Sequence, residues 1–129
     1  MLYYSSAFFG TVAIHSSFYD YYWMTPAFIV LCYLSTMNWM GQTVDYKLKK
    51  VILYTDRLTA HCIAVRATID AWQYEMCYEI FGYYFCLFYT IFIYYSRLID
   101  YHKIMHASMH FMSCLGCHLL IYKRSLYLQ

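Results

Sequence analysis

From Ala7 to Met40 the chain is almost free of formal charge, interrupted only by Asp20, His15 and the pair Thr25-Pro26. A helix through that stretch, at 1.5 Å per residue, is longer than a hydrocarbon core of roughly 30 Å requires. Something must divide or tilt it. Thr25 has the side chain of a helix cap and Pro26 suits the first turn of a new helix, so a span is expected over about Pro26 to Met40. Ser6 to Trp23 then forms the upper half of a kinked span or a helix lying at the interface.

Composition places the whole chain in the same solvent. Of its 129 residues 63% are hydrophobic, 23% aromatic and 12% charged, whereas an ordinary water-soluble domain carries about a quarter charged residues. Disorder is excluded by the same figures. The 18 Tyr, 9 Phe and 3 Trp suit membrane interfaces and helix packing, where an amphipathic ring has one apolar and one wet end.

Between Gly41 and Glu79 the character changes, with Asp45, Lys47, Lys49, Lys50, Asp56, Arg57, Arg66, Asp70, Glu75 and Glu79. That density forbids a simple lipid-facing span. Val51, Leu58, Val65 and Trp72 recur every seventh residue within it, with Thr55, Cys62, Ile69 and Met76 between them, which predicts an amphipathic helix of about eight turns. Its apolar seam should dock on another helix, of a partner or of this chain. Uncharged stretches then predict a second span over residues 80–96 and a third over residues 104–122.

The expected fold is therefore an all-α membrane protein of about three transmembrane helices, with one amphipathic helix between the first and second. Residues 1–129 form a single polytopic unit, divided into 1–40, 41–79, 80–96 and 104–122. With three spans, Lys47, Lys49, Lys50, Arg57, Arg66, Lys123 and Arg124 share one side, and the positive-inside rule puts that side in the cytoplasm or matrix, opposite Arg97 and Lys103. No Lys or Arg precedes Lys47, so neither a secretory signal nor an Arg-rich transit peptide is expected. An organelle-encoded or internally targeted subunit would begin this way.

Six cysteines, at positions 32, 62, 77, 86, 114 and 117, lie mostly in apolar stretches. They read as buried free thiols, since disulfide frameworks belong to small secreted chains with loop-rich sequences. Nine Lys plus Arg with no dense run lack the basic stripe that nucleic-acid binding needs. There is no Gly-rich phosphate loop, nucleophile elbow or paired-carboxylate site.

The last apolar segment carries His102, His106, His110, Cys114 and His118 at every fourth residue, a spacing that stacks side chains along one helical face. Ionisable groups in hydrocarbon are costly and usually face protein, water or a cofactor. Hydrogen bonding to neighbouring helices or lipid headgroups is the expected fate of this ladder. Haem b is an alternative, using His110 with His15 from the first region as axial ligands. Cys114-Leu-Gly-Cys117-His118 also fits the c-type haem attachment pattern, but mid-helix placement makes it a coincidence of spacing. On the charged helix Asp56, Arg57, His61, Arg66 and Asp70 crowd together, and such groups line proton paths or bridge to neighbouring subunits.

Three partial family resemblances follow from these residues. Asp100-Tyr101 followed by His106-Ala-Ser-Met-His110 resembles the last-helix pattern of the seven-span alkaline ceramidase and progestin-receptor superfamily. That resemblance implies a zinc site at Asp100, His106 and His110, and a metal-dependent membrane hydrolase. The order of spans and loops is similar to that of the three-span subunit 3 of proton-pumping NADH dehydrogenase, with Tyr74-Glu75-Met76-Cys77 resembling its loop motif. Asp100-Tyr101 and Asp45-Tyr46 each resemble the Asp-Tyr pair of succinate dehydrogenase anchor subunits, which implies a tyrosine near quinone.

The expected function is that of a small accessory subunit of a multi-subunit membrane complex, with a respiratory-chain complex of the mitochondrial inner membrane as the leading assembly. Its partners would be other integral-membrane subunits and lipids. It would brace neighbouring spans and line a site for quinone, lipid or haem, without catalysis of its own.

Overall fold

The computed structural model describes residues 2–40, 46–96 and 103–128. All secondary structure among them is helical: α1 (Leu2–Phe18), α2 (Met24–Met40), α3 (Tyr46–Trp72), α4 (Tyr78–Tyr95) and α5 (Lys103–Leu128).

The long uncharged stretch is divided, but at Asp20 and not at Thr25-Pro26. Asp20 has φ 55°, the left-handed region that Asp tolerates better than most residues because its short side chain can bond locally. On either side of it the Tyr21 N–H donates to the Ser16 carbonyl at 3.0 Å and the Asp20 N–H to the Ser17 carbonyl at 3.5 Å. This is the pattern of a helix closed by a left-handed residue, normally a glycine. Thr25 already lies inside α2, where its hydroxyl meets Ser16 Oγ at 2.8 Å. Pro26 falls in the first turn, where its missing N–H costs nothing. The first hydrophobic region is therefore a helical hairpin, neither a kinked span nor a span with an interfacial helix.

Side-chain pairs give the direction of every neighbour. α2 runs back along α1, with the Phe9 and Phe28 rings 6.1 Å apart. α5 runs parallel to α1, since Phe8 meets Phe111 and, further along both helices, His15 meets His118. α4 is antiparallel to α5, tied by Tyr89 to Ser108 at 3.0 Å and by Thr90 to Ser113 at 3.2 Å. Gly116 lets these two backbones close up: a Cβ there would stand 3.0 Å from Cys86 Cβ, and small residues permit such approach between helices.

α3 turns Ile63, Ala67 and Ala71 inward, one stripe at four-residue spacing. Its C-terminal turns are clamped to the α1–α2 hairpin through Asp70. Oδ2 of that carboxylate accepts from Tyr21 OH at 2.5 Å and from Trp23 Nε1 at 2.8 Å, while Arg66 Nε stands 3.6 Å from Oδ1. Burial, and then the bond to Asp70, raise the pKa of the Tyr21 phenol. The expected seam of Val51, Leu58, Val65 and Trp72 faces outward, Trp72 being 81% exposed. It does not pack on this chain, because Asp70 selects the opposite stripe.

The lengthwise packing of α3 also changes the expected arrangement of charge. Instead of lying across one surface, α3 runs beside α2 and antiparallel to it, so Lys49 and Lys123 fall at opposite ends of the bundle. Arg97 lies outside the described residues. The six thiols are unbridged; Cys86, Cys114 and Cys117 are buried and Cys62 is exposed.

Among the described residues one helix, over Ile104–Leu126, is long and apolar enough to cross a membrane, and 33% of it is buried. α1 and α2 hold shorter apolar runs, Ala7–Phe18 and Met24–Met37. The other expected spans do not reach that measure of length and hydropathy. In α4 the reason is its many tyrosines, although Phe81, Phe85, Phe88 and Phe92 form an outward stripe along it.

Asp70 accepts two hydrogen bonds in a half-buried place, so Asp70→Ala strands Tyr21 and Trp23. The expected loss is about 3 kcal/mol for bonds to a charged acceptor. Thermal unfolding followed by circular dichroism in detergent measures it, against Asp20→Gly, which keeps the left-handed turn and is expected to change little.

A central cavity as candidate functional site

Because α3 is held to α2 but meets α4 and α5 only sparsely, space is left inside the ring of helices. It forms a cavity of about 820 Å³, within the usual range of small-molecule sites. All five helices contribute to its wall.

Two polar ties cross the gap between α3 and α4. At one end the His61 Nδ1–H donates to the Arg57 carbonyl at 2.7 Å, and Nε2 is hydrogen-bonded with Tyr95 OH at 2.8 Å. A carbonyl only accepts, so Nδ1 carries a proton. At the other end Thr68 Oγ1 donates to the Ala64 carbonyl at 2.7 Å and accepts from Tyr83 OH at 3.0 Å.

The wall differs between the two ends. Asp56, Arg57, His61, Tyr94 and Tyr95 gather where α3 meets the end of α4, while Ala67, Cys86, Leu87, Gly116 and Cys117 line the region near Tyr83. Along α3 the lining runs from Leu53 to Ile69, about 24 Å at the helical rise. The cavity is long, with its acidic and basic side chains at one end and the Thr68–Tyr83 hydroxyl pair toward the other. Asp56 Oδ1 is cut off from solvent and has no hydrogen-bond partner, an expensive condition for a carboxylate oxygen.

His106 and His110, one turn apart on α5, come together as their spacing requires, with ring centroids 4.6 Å apart, and both line the cavity. His110 is buried against Phe9, centroids 4.9 Å apart. His15 meets a different histidine. Its Nδ1 lies 2.8 Å from His118 Nδ1, and His118 Nε2 lies 3.0 Å from Thr11 Oγ1. Thr11 donates to the Phe8 carbonyl, so it accepts from His118 Nε2–H, and His15 Nδ1–H then donates to His118 Nδ1. His118 stands two turns from His110, about 12 Å along α5, so His15 and His110 are not brought face to face.

Asp100, the third expected zinc ligand, lies outside the described residues, as do Asp45, Tyr101 and His102. Among the described residues no three His, Cys, Asp or Glu side chains group closely enough to hold a metal ion. Cys114 and Cys117 are buried in the α5 interface, and His118 is engaged by Thr11 and His15, so the c-type haem spacing is not presented to a haem edge.

Sequence reasoning singled out Asp56, Arg57 and His61 only as part of a crowded helix. It missed Tyr83, Tyr94 and Tyr95 as their neighbours, because pairing across α3 and α4 depends on how two distant helices stack. Charge is spread around α3, with Asp56 and Arg57 about 100° apart on the helix, so no face of its sequence marked them.

Tyr95→Phe removes the tie at the polar end at a cost of about 1 kcal/mol. Amide hydrogen exchange is expected to quicken over residues 53–61 and to stay unchanged over the α4–α5 interface. Equal quickening of both would mean that the tie does not control α3 separately.

The chain matches no family model, no curated protein and no solved structure. Its function has to be read from the chemistry of the cavity.

Proposed function

We propose that the chain is a small accessory subunit of a membrane complex that holds an elongated, largely apolar molecule, quinone-like or lipid-like, between its helices. The observation that carries this reading is the long, mostly apolar-lined cavity whose charged side chains gather at one end. Lining by Phe9, Phe28, Leu31 and Leu87 suits an apolar tail, and the polar groups near Asp56 suit a head.

The outer surface supports a membrane setting. Phe81, Phe85, Phe88 and Phe92 on α4, Phe18 and Tyr22 at the hairpin, and Val51, Leu58 and Val65 on α3 are all exposed. A surface of this kind associates in water and is stable in lipid or against other membrane helices. Other integral-membrane subunits and lipids are the partners of this reading. The assembly proposed is a respiratory-chain complex of an inner mitochondrial membrane, on the resemblance of Tyr74-Glu75-Met76-Cys77 to the loop motif of a small subunit there. Lys47, Lys49 and Lys50 mark the end facing cytoplasm or matrix.

Two measurements test the proposal. The full chain purified in mild detergent should yield a stoichiometric apolar molecule on organic extraction and mass spectrometry. Ala64→Phe, which fills the cavity wall, should lower that yield severalfold, as overpacking excludes ligand. A stoichiometric Soret-absorbing haem or bound zinc in its place would overturn the reading. For orientation, Lys49→Cys and Lys123→Cys are expected to take impermeant maleimide from opposite faces of sealed vesicles, above the label on the native thiols; labelling from one face would overturn the lengthwise placement of α3 in the membrane.

A further inference from the structure

We infer that the outer stripe of α3 is the seam of a homodimer, in which a second copy of this chain lays its own α3 alongside in parallel. This stripe lies on the side of α3 away from the bundle, so the pairing does not depend on what the cavity holds.

Two interleaved seven-residue repeats run the length of α3: Leu48, Thr55, Cys62 and Ile69, and Val51, Leu58, Val65 and Trp72. All of these side chains are exposed, while Ile63, Ala67 and Ala71 on the other side are buried in the bundle. Alternating intervals of three and four residues make this the a/d stripe of a coiled coil. On a straight helix such a stripe drifts by about 20° per heptad, so keeping it from end to end suits a helix that supercoils with a neighbour. A lipid-facing side is instead apolar over a wider arc. Here the stripe is narrow, edged by Tyr54, His61 and Thr68 along one rim and by Thr59 and Arg66 along the other.

The stripe suits a copy of itself. It carries no acidic or basic side chain, and a two-fold axis along α3 sets each position beside its equivalent. Thr55 already donates to the Val51 carbonyl at 2.8 Å, and a free cysteine such as Cys62 packs as a small hydrophobe, so pairing strands no strong polar group. In parallel register Lys47 comes beside Ile52 of the second copy, and His61 beside Arg66 of the second copy. Arg66 is drawn to its own Asp70 at 3.6 Å and lies 5.7 Å from its own Trp23 ring, which turns it from the opposite rim. Each exposed side chain of the stripe offers on the order of 100 Å². The stripe therefore presents roughly 800 Å² per copy, as much as one partner contributes to a stable interface. Copies inserted in one membrane share an orientation, and that makes the pairing parallel.

The full chain in mild detergent is expected to show the native mass of a dimer. Val65→Asp, which puts an unpaired charge in the seam, should weaken association at least about tenfold with helical circular dichroism unchanged, and Val65→Ile should remain a dimer. Oxidation of membranes that contain the chain reads the register. Cys62 should link to Cys62 of the second copy, Cys62→Ser should abolish the linked band, and Leu48→Cys in the Cys62→Ser background should restore it. Facing positions of a parallel pair come within disulfide reach, whereas antiparallel copies would hold the two sites at position 48 on the order of 36 Å apart. A monomeric mass would overturn the inference, as would a dimer that survives Val65→Asp. A link through Cys62 with none through Leu48→Cys would overturn the parallel pairing. If Val65→Asp also loses helicity, the link through Leu48→Cys decides alone.

Discussion

The Asp70 carboxylate sets the geometry of this molecule. It gathers Tyr21 OH and Trp23 Nε1 on one oxygen and Arg66 beside the other, fixing the end of α3 against the α1–α2 hairpin. Bonds to an ionised acceptor are roughly twice as strong as neutral ones. The same cluster takes in the C-terminal helix, because the Arg124 guanidinium lies 4.5 Å over the Tyr21 ring. Four of the five helices thus meet around one carboxylate. That contact decides which stripe of α3 looks inward.

A clamp at one end leaves the rest of α3 to be placed by weaker forces. Ile63, Ala67 and Ala71 bring it close to the bundle, but their side chains are too small to fill the space toward α4 and α5. Two hydroxyl-centred ties, His61 to Tyr95 and Thr68 to Tyr83, hold the far wall. A cavity follows from this arrangement, since protein interiors lined by full-sized side chains on every helix close to high density. On the other side of the bundle Gly116 and Gly82 allow α4 and α5 to touch. Tight packing there and open packing under α3 are two outcomes of residue size at facing positions.

Apolar and polar side chains share both the outer surface and the interior of the bundle. Phenylalanines point outward along α4, while Asp56, Arg57, His61 and His106 border the interior space. Ionisable side chains within a membrane bundle face inward, toward partners or a cavity. Under the proposed membrane setting, the charge density that argued against a lipid-facing α3 fits a helix with one face outward and another on the cavity. It also explains why hydropathy averaged along α3 misses its apolar stripe.

The sequence by itself determined that the chain is helical, where apolar stretches begin and end, and that His106 and His110 must be neighbours. Those properties depend on spacing within one segment, and helical geometry converts spacing directly into position. It also held the division of the first hydrophobic region, in the lone Asp20, although the Thr-Pro pair offered a stronger local signal. Tertiary structure alone decided the rest. A seven-residue repeat such as Val51, Leu58 and Val65 defines a face without saying what covers it, and only the bond from Asp70 to Tyr21 and Trp23 turned that face outward. Likewise His15 was free to meet any histidine of the last helix until α1 and α5 packed in parallel and brought it to His118. The cavity was illegible for the same reason: it exists where α3 stands away from α4 and α5, and a gap between distant segments leaves no periodicity in the sequence of any one of them.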